Sequence, residues 1–173
     1  MYGRGLDKLL LVFGGICTAL SVISLWLGSV ISINTLFFIA LASCFVLVMQ
    51  IEGGTKYSLL TFFSVAILSF VLPVGKINAV YYTAFFGYYP IIKSYIERIN
   101  KMSKELTVKT LFFIFISVAS VTILKSFMML TLNEKFSFGL IYVILVIALF
   151  VYDYALSMFF SFYMNTVRNK LRR

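Results

Sequence analysis

Long apolar stretches alternate with short polar breaks along the whole chain, and this pattern predicts membrane-spanning helices. A helix needs about 20 consecutive apolar residues to cross the hydrocarbon core of a bilayer. Six stretches reach or approach that length, and glycine, proline or charged residues interrupt the chain between most of them. We therefore predict a single all-α domain over residues 1–173, a polytopic bundle whose six transmembrane helices lie at about residues 9–28, 30–51, 57–72, 77–96, 111–130 and 138–164.

Two of the breaks predict local backbone geometry. The segment Ile51–Lys56 contains Gly53 and Gly54, which free the backbone to turn between the second and third spans. Within the fourth span, the run from Gly87 to Pro90 predicts a kink or a locally unwound turn, because proline removes a helical hydrogen bond.

The distribution of basic residues predicts the orientation of these spans. When the spans alternate in direction, 12 of the 15 lysine and arginine residues fall on one side, namely Arg4, Lys8, Lys56, Lys93, Arg98, Lys101, Lys104, Lys109, Arg168, Lys170, Arg172 and Arg173. Lys76 and Lys135 fall on the other side, and Lys125 falls inside the fifth span. Basic residues near helix ends stay in the cytoplasm during insertion. We therefore expect both termini to be cytoplasmic and the protein to lie in the cytoplasmic membrane.

The amino-acid composition also indicates a membrane protein. The chain is 62% hydrophobic and 12% charged, whereas soluble domains carry about 25% charged residues. The net charge of +9 flanks the apolar spans, so we expect contact with anionic lipid of the inner leaflet rather than with nucleic acid. Cys17 and Cys44 lie in apolar segments and the chain has no histidine, so neither a disulfide nor a metal or other cofactor is expected.

The first candidate for chemistry is Asp153, which lies inside the sixth span. A carboxylate at that depth is costly and needs a partner. Lys93 lies at a similar depth in the fourth span, so we expect these two residues to form an intramembrane ion pair. The pair is interpreted either as a coupling or ion site or as a structural contact; a protonated Asp153 bonded to neighbouring tyrosines is the other alternative.

A second candidate is a ligand pocket at the outer level of the membrane. Aromatic and polar residues gather there in the predicted topology: Trp26, Asn34, Lys76, Asn78, Tyr81, Tyr82, Lys125 and Asn133. Aromatic walls with a few polar anchors are typical of small-molecule sites, and the lysines would favour an anion. The same residues are also compatible with an interfacial aromatic belt, in which Lys125 extends its ammonium group toward the interface.

A third feature is a pair of small-residue motifs in the first span. Gly14 and Thr18 repeat at an interval of four, and so do Gly15 and Ala19. Such spacing allows two helices to approach closely in a membrane. The partner helix belongs either to the same bundle or to another protein. No hydrolase or metalloprotease motif is present, and we do not expect an enzyme.

The run from Gly14 to Ser21, GGICTALS, together with six spans in fewer than 200 residues, resembles the substrate-binding S components of energy-coupling factor vitamin transporters. The family typically has Ala-x-x-x-Ala where this chain has Gly15-x-x-x-Ala19. The resemblance implies capture of a vitamin or similar micronutrient from outside, docking of the first helix on a transmembrane coupling subunit, and energy from partner ATPases. The segment Phe85–Pro90 also resembles uncharacterised membrane proteins of low-GC Gram-positive bacteria.

Two other functions remain open at this point. One is a structural or interaction protein of the membrane that uses the small-residue face without transport. The other is a lipid-modifying enzyme in which Asp153 and Lys93 act as an acid–base pair.

Overall fold

The structure is a computed structural model, and it describes residues 3–31, 34–97, 102–128 and 138–168. The described residues form helices joined by short turns and contain no strand, which confirms the predicted all-α class. The α-helices are α1 (Gly3–Val30), α2 (Thr35–Val71), α3 (Lys76–Tyr81), α4 (Tyr89–Ile96), α5 (Met102–Met128) and α6 (Phe138–Phe162). Two π-helical segments follow α3 and α6, at Tyr82–Phe86 and Tyr163–Arg168.

Three helices in the described ranges are long and apolar enough to cross a membrane. They cover Asp7–Val30, Thr35–Val71 and Val143–Thr166. A shorter apolar helix covers Leu106–Ala119. The first and third of these helices agree with the predicted first and sixth spans to within a few residues, so the protein has the helices of a membrane protein.

Helix α2 combines the predicted second and third spans in 37 residues, and it reverses direction inside. Gly54 has φ 74° and ψ −172°, which is not helical. A Cβ on Gly14 of α1 would lie 3.4 Å from Thr61 Oγ1 and 3.7 Å from Met49 Sδ. Twelve residues of uninterrupted helix would separate Met49 and Thr61 by about 18 Å. The two arms of α2 therefore fold back on each other at Gly54.

The reversal at Gly54 agrees with the predicted turn, although the interruption is shorter than expected. Helical structure continues on both sides, so that only Gly54 departs from helical geometry. A positive φ is unfavourable for residues with a Cβ and routine for glycine. The predicted break in helical structure over Ile51–Lys56 is thus reduced to a single residue, Gly54.

Four helical segments of residues 3–96 consequently run back and forth between two ends. We call the end that holds Asp7, Gly54 and Ser94 the turn end, and the end that holds Gly28, Thr35 and Gly75 the groove end. About 31 Å of helix separates Asp7 from Gly28 along α1, which is close to the thickness of a bilayer core.

The core of this bundle is formed by apolar side chains from α1, both arms of α2 and the segment after α3. Its buried members are Val22, Leu25, Ile39, Ala42, Val46, Phe62, Val65, Val74, Tyr82 and Ile91. Many large apolar side chains of α1 and α2 remain exposed on the outer surface, as expected where lipid replaces water.

The predicted irregularity in the fourth span is confirmed. Helix α3 passes into the π-helical segment, a turn follows at residues 87 and 88, and α4 begins at Tyr89 just before Pro90. The amide of Gly87 donates to the carbonyl of Tyr82 at 2.7 Å. The span is therefore built from three short helical pieces.

By its internal contacts the chain divides into two compact units. The first takes in Met1–Tyr95 and Phe159–Arg173, and the second takes in Ile96–Met158. The organisation as one domain stays a prediction.

Candidate functional site

A groove of about 360 Å³ opens at the groove end of the first unit. Three helix ends form it: the last turn of α1, the first residue of α2 and the start of α3. The residues that line it are Gly28, Ser29, Thr35, Gly75, Lys76, Ile77 and Asn78.

Local hydrogen bonds fix the walls of this groove. The Ser29 hydroxyl donates to the carbonyl of Trp26 at 2.6 Å, and the Thr35 hydroxyl donates to the carbonyl of Gly28 at 3.2 Å. A Cβ on Gly75 would lie 3.2 Å from the Cβ of Ser29, so glycine allows α3 to start close against α1. The groove is thus a consequence of how tightly the helix ends meet.

Asn78 is the distinctive residue of the groove. Its side chain lines the cavity and the residue is only 6% exposed. Its carboxamide makes no hydrogen bond in the described ranges and is not among the buried polar atoms, so it is open to the groove. Lys76, two residues earlier, is exposed and lines the same cavity. The groove therefore offers an accessible amide next to a cation.

The structure brings together only part of the predicted ligand pocket. Lys76 and Asn78 line the groove, whereas Trp26 is 45% exposed and contributes its carbonyl to Ser29. Asn34 is exposed next to the start of α2, and Tyr81 is half-buried. A shared role for these residues stays a prediction.

Tyr82 lies in the core of the first unit rather than in the groove. It is fully buried, and its ring centroid lies 6.1 Å from that of Phe62. The end of its ring is directed toward Gly87, where a Cβ would lie 2.8 Å from Cζ. Its hydroxyl has no partner among the described residues, and the same is true of Thr61 and Thr83.

Two predicted pocket residues cannot be compared with the groove. The backbone of Lys125 lies in α5, but its side chain is outside what the structure describes. Asn133 lies outside the described residues altogether. Sequence reasoning missed Ser29, Thr35 and Ile77; the signal that could have found Ser29 is its position in the predicted outer turn after Gly28.

The two small-residue motifs of α1 face different surroundings. Gly14 packs against Thr61 and Met49, and Thr18 is buried with its hydroxyl donating to the carbonyl of Gly14 at 2.8 Å. A Cβ on Gly15 would meet nothing within 4 Å, and Ala19 is exposed. One motif therefore packs inside the first unit, and the other leaves an uncovered strip on its surface.

The turn end of the first unit is closed by a network of side-chain hydrogen bonds. The Gln50 amide nitrogen donates to Ser94 Oγ at 3.0 Å and to Thr55 Oγ1 at 3.2 Å. The Ser58 hydroxyl donates to the other end of the same amide, at Gln50 Oε1. Thr55 Oγ1 and the Tyr95 hydroxyl lie 2.9 Å apart. This network ties both arms of α2 to α4.

A second set of contacts attaches the end of the chain to the turn end. Glu52 Oε1 accepts a hydrogen bond from the Tyr163 hydroxyl at 3.3 Å and lies 3.5 Å from Arg168 Nε. Tyr57 donates to Asp7 Oδ1 at 2.5 Å. Charged residues thus gather at this end of the first unit.

Within the second unit, Asp153 is paired with Lys109. Lys109 Nζ lies 3.1 Å from Asp153 Oδ2 and 3.5 Å from Glu97 Oε1. Lys109 and Asp153 are 7% and 9% exposed. The predicted topology placed Lys109 among the cytoplasmic basic residues, just before a fifth span that begins at about residue 111, and the structure places it inside α5, which begins at Met102.

Lys93, the predicted partner of Asp153, is 2% exposed and belongs to the first unit. Its pairing with Asp153 stays a prediction. The contact with Lys109 supplies the neutralising charge that a buried carboxylate needs.

Among the described residues, no group of histidine, cysteine or acidic side chains is arranged to hold a metal ion. Cys17 and Cys44 are both free thiols.

Comparison with known proteins gives no match to a family model, a curated protein or a solved structure.

Proposed function

We propose that the chain is a polytopic protein of the cytoplasmic membrane, with six spans and both termini in the cytoplasm. Three long apolar helices and the reversal at Gly54 support this proposal, because the two arms of α2 then supply one crossing each. The turn end carries the exposed cations Lys8 and Lys56, which suit the anionic inner leaflet. The groove end then faces outward.

We propose further that this protein captures a small molecule at the outer groove, as the substrate-binding subunit of an uptake transporter. The observation that carries this proposal is Asn78, whose carboxamide lines an open cavity beside Lys76 and makes no hydrogen bond in the described ranges. In small-molecule sites a few such polar groups in the cavity wall orient the ligand. A ligand in the groove would hydrogen-bond to this carboxamide.

The exposed strip at Gly15 and Ala19 is the proposed docking site for a transmembrane coupling subunit, which would work with partner ATPases. Small residues one turn apart let a second helix approach closely. The neighbouring Ile16, which is 53% exposed, and Val12, which is 64% exposed, would extend the contact.

Recovery of partners from mild detergent tests the docking proposal. The intact protein should recover a transmembrane subunit together with an ATPase module, and Gly15→Leu should abolish that recovery because the added side chain fills the close approach. Ala148→Leu is the matched control, since Ala148 is an exposed small residue on α6. Equal recovery with Gly15→Leu and the control would exclude this docking site.

Native mass spectrometry separates the transport proposal from its rival, an interaction protein without a ligand. A small molecule that co-purifies with the intact protein and is lost on Asn78→Asp supports capture at the groove. A partner protein without any small molecule would favour the rival.

A further inference from the structure

The residues that line the groove restrict the charge of its ligand. Lys76 is a cation with no ion-pair partner in the described ranges, and no acidic residue lies in the sequence between Asp7 and Glu52 or between Glu52 and Glu97. The first unit therefore offers no carboxylate near the groove that could neutralise a cationic ligand. A carboxylate on the ligand, in contrast, would meet Lys76 Nζ and one amide hydrogen of Asn78.

The same lining also offers acceptors, which a purely anionic ligand would not satisfy. The Ser29 hydroxyl directs its proton to the carbonyl of Trp26 at 2.6 Å, so its remaining lone pairs can only accept. Asn78 Oδ1 is a second acceptor. A phosphate or a dicarboxylate would place further acceptor oxygens against these neutral acceptors and leave them without donors, at a cost in free energy.

We infer that the groove binds a small carboxylate that also carries N–H donors, a zwitterion of amino-acid size. This inference rests on the proposed capture of a small molecule at the groove and specifies its chemical class. The carboxylate would lie between Lys76 and Asn78, and the N–H groups would donate to Ser29 Oγ and Asn78 Oδ1.

The size of the cavity supports a small ligand. Its volume of about 360 Å³ lies at the lower end of the range for small-molecule sites. Gly28 and Gly75 form part of its wall, and Ile77 is the one large apolar residue among the described residues that line it. The walls therefore suit a compact polar molecule better than an extended apolar one.

Thermal unfolding of the purified full-length protein in nanodiscs of phosphatidylcholine tests the inference. Four probes are compared at equal total concentrations up to about 10 mM, which detects dissociation constants in the millimolar range. They are an equimolar mixture of the proteinogenic α-amino acids, propionate, ethanolamine and inorganic phosphate. We expect the amino-acid mixture to raise the midpoint of unfolding, and the other three to leave it unchanged. Native mass spectrometry of the same sample identifies the bound amino acid by mass.

Two substitutions in the groove connect this response to the proposed contacts. Asn78→Asp replaces an amide donor with a carboxylate, which would repel the carboxylate of the ligand. We expect it to lower the affinity for the bound amino acid about tenfold or more. Lys76→Met should lower this affinity by a similar factor. Lys56→Met is the control, because it removes a positive charge at the turn end and should leave the affinity unchanged.

The outcomes separate the inference from the proposed function. Stabilisation by phosphate or propionate alone, lost on Asn78→Asp, would overturn the zwitterion while keeping a ligand site at the groove. Stabilisation by ethanolamine alone would overturn both the zwitterion and the role of Lys76. No response to any probe would overturn the inference and remove the support for capture at the groove. A response to amino acids that survives Asn78→Asp and Lys76→Met would also overturn it, because binding would then lie elsewhere.

Discussion

The two ends of the first unit each bury a carboxamide, and they differ in how that group is satisfied. At the turn end, Gln50 is 9% exposed and bonds to Thr55, Ser58 and Ser94. At the groove end, Asn78 is 6% exposed, and its carboxamide makes no hydrogen bond in the described ranges but is open to the groove. One end is closed by the protein's own hydrogen bonds, and the other leaves hydrogen-bonding capacity beside an open cavity.

This difference indicates that the turn end stabilises the bundle and that the groove end is available for binding. A membrane offers no water to satisfy buried polar groups in its core, so a network such as that of Gln50 stabilises the arrangement of the helices it joins. A carboxamide that is open to a cavity, such as that of Asn78, remains free to hydrogen-bond a ligand. We therefore expect substitutions at the turn end to change folding and substitutions at the groove end to change binding.

The largest expected effect on folding comes from Gly54, where the chain reverses with φ 74°. Gly54→Val places a β-branched residue in the left-handed region and should lower the free energy of unfolding by about 3 kcal/mol. Gly15→Val is the matched control, because a Cβ on Gly15 meets nothing within 4 Å. Unfolding in mixed micelles of a mild detergent and dodecyl sulfate measures the free energy of unfolding of both variants. Equal stability of the two variants would contradict the reversal at Gly54.

A paired substitution of the two carboxamides tests the comparison itself. Gln50→Leu should lower the free energy of unfolding by about 2 kcal/mol, because three side-chain bonds of roughly 0.6 kcal/mol each are lost in a membrane protein. Asn78→Leu removes a group without a partner and should leave the stability of the ligand-free protein unchanged or slightly higher. The same unfolding assay applies. Destabilisation of both variants by similar amounts would show that Asn78 has a structural partner.

The smallest expected effect concerns a single hydroxyl of the turn-end network. Ser58 donates to Gln50 Oε1 across the reversal. Ser58→Ala removes this bond and also leaves Gln50 Oε1 without its donor, so it should lower the free energy of unfolding by about 1 kcal/mol. Ser69 donates only to the carbonyl of Ala66, one turn back on its own helix, and Ser69→Ala should cost less than about 0.5 kcal/mol. If Ser69→Ala lowers the free energy of unfolding more than Ser58→Ala does, the network at the turn end does not stabilise the protein.

Much of the fold could be predicted because hydrophobic length and helix breakers act locally. The glycine pair before Tyr57 and the Gly87–Pro90 run predicted the reversal at Gly54 and the irregular fourth span. The charges of residues 104–109 placed Lys109 outside the predicted fifth span, whereas in the structure Lys109 lies inside α5 and is neutralised by Asp153. Burial of a paired charge cannot be read from a single segment, since the partner comes from a distant part of the chain.

The candidate site could be predicted only in part, for a related reason. Lys76 and Asn78 stand out as polar residues at the start of an apolar span. Ser29 belongs to the groove through the close approach of Gly75 to the end of α1, a contact between segments more than 40 residues apart. Similarly, the sequence could not distinguish the buried Gly14 motif from the exposed Gly15 motif, because that distinction depends on the position of α2.

Accessibility of the two ends of the first unit tests the central claim most directly. Single cysteines are introduced by Lys76→Cys and Lys56→Cys in a background with Cys17→Ala and Cys44→Ala, and intact cells are treated with a thiol reagent that does not cross membranes. The account predicts that Lys76→Cys reacts in intact cells and that Lys56→Cys reacts only after the membrane is opened. Reaction of both positions from the same side would contradict a bundle that crosses the membrane with its groove facing outward.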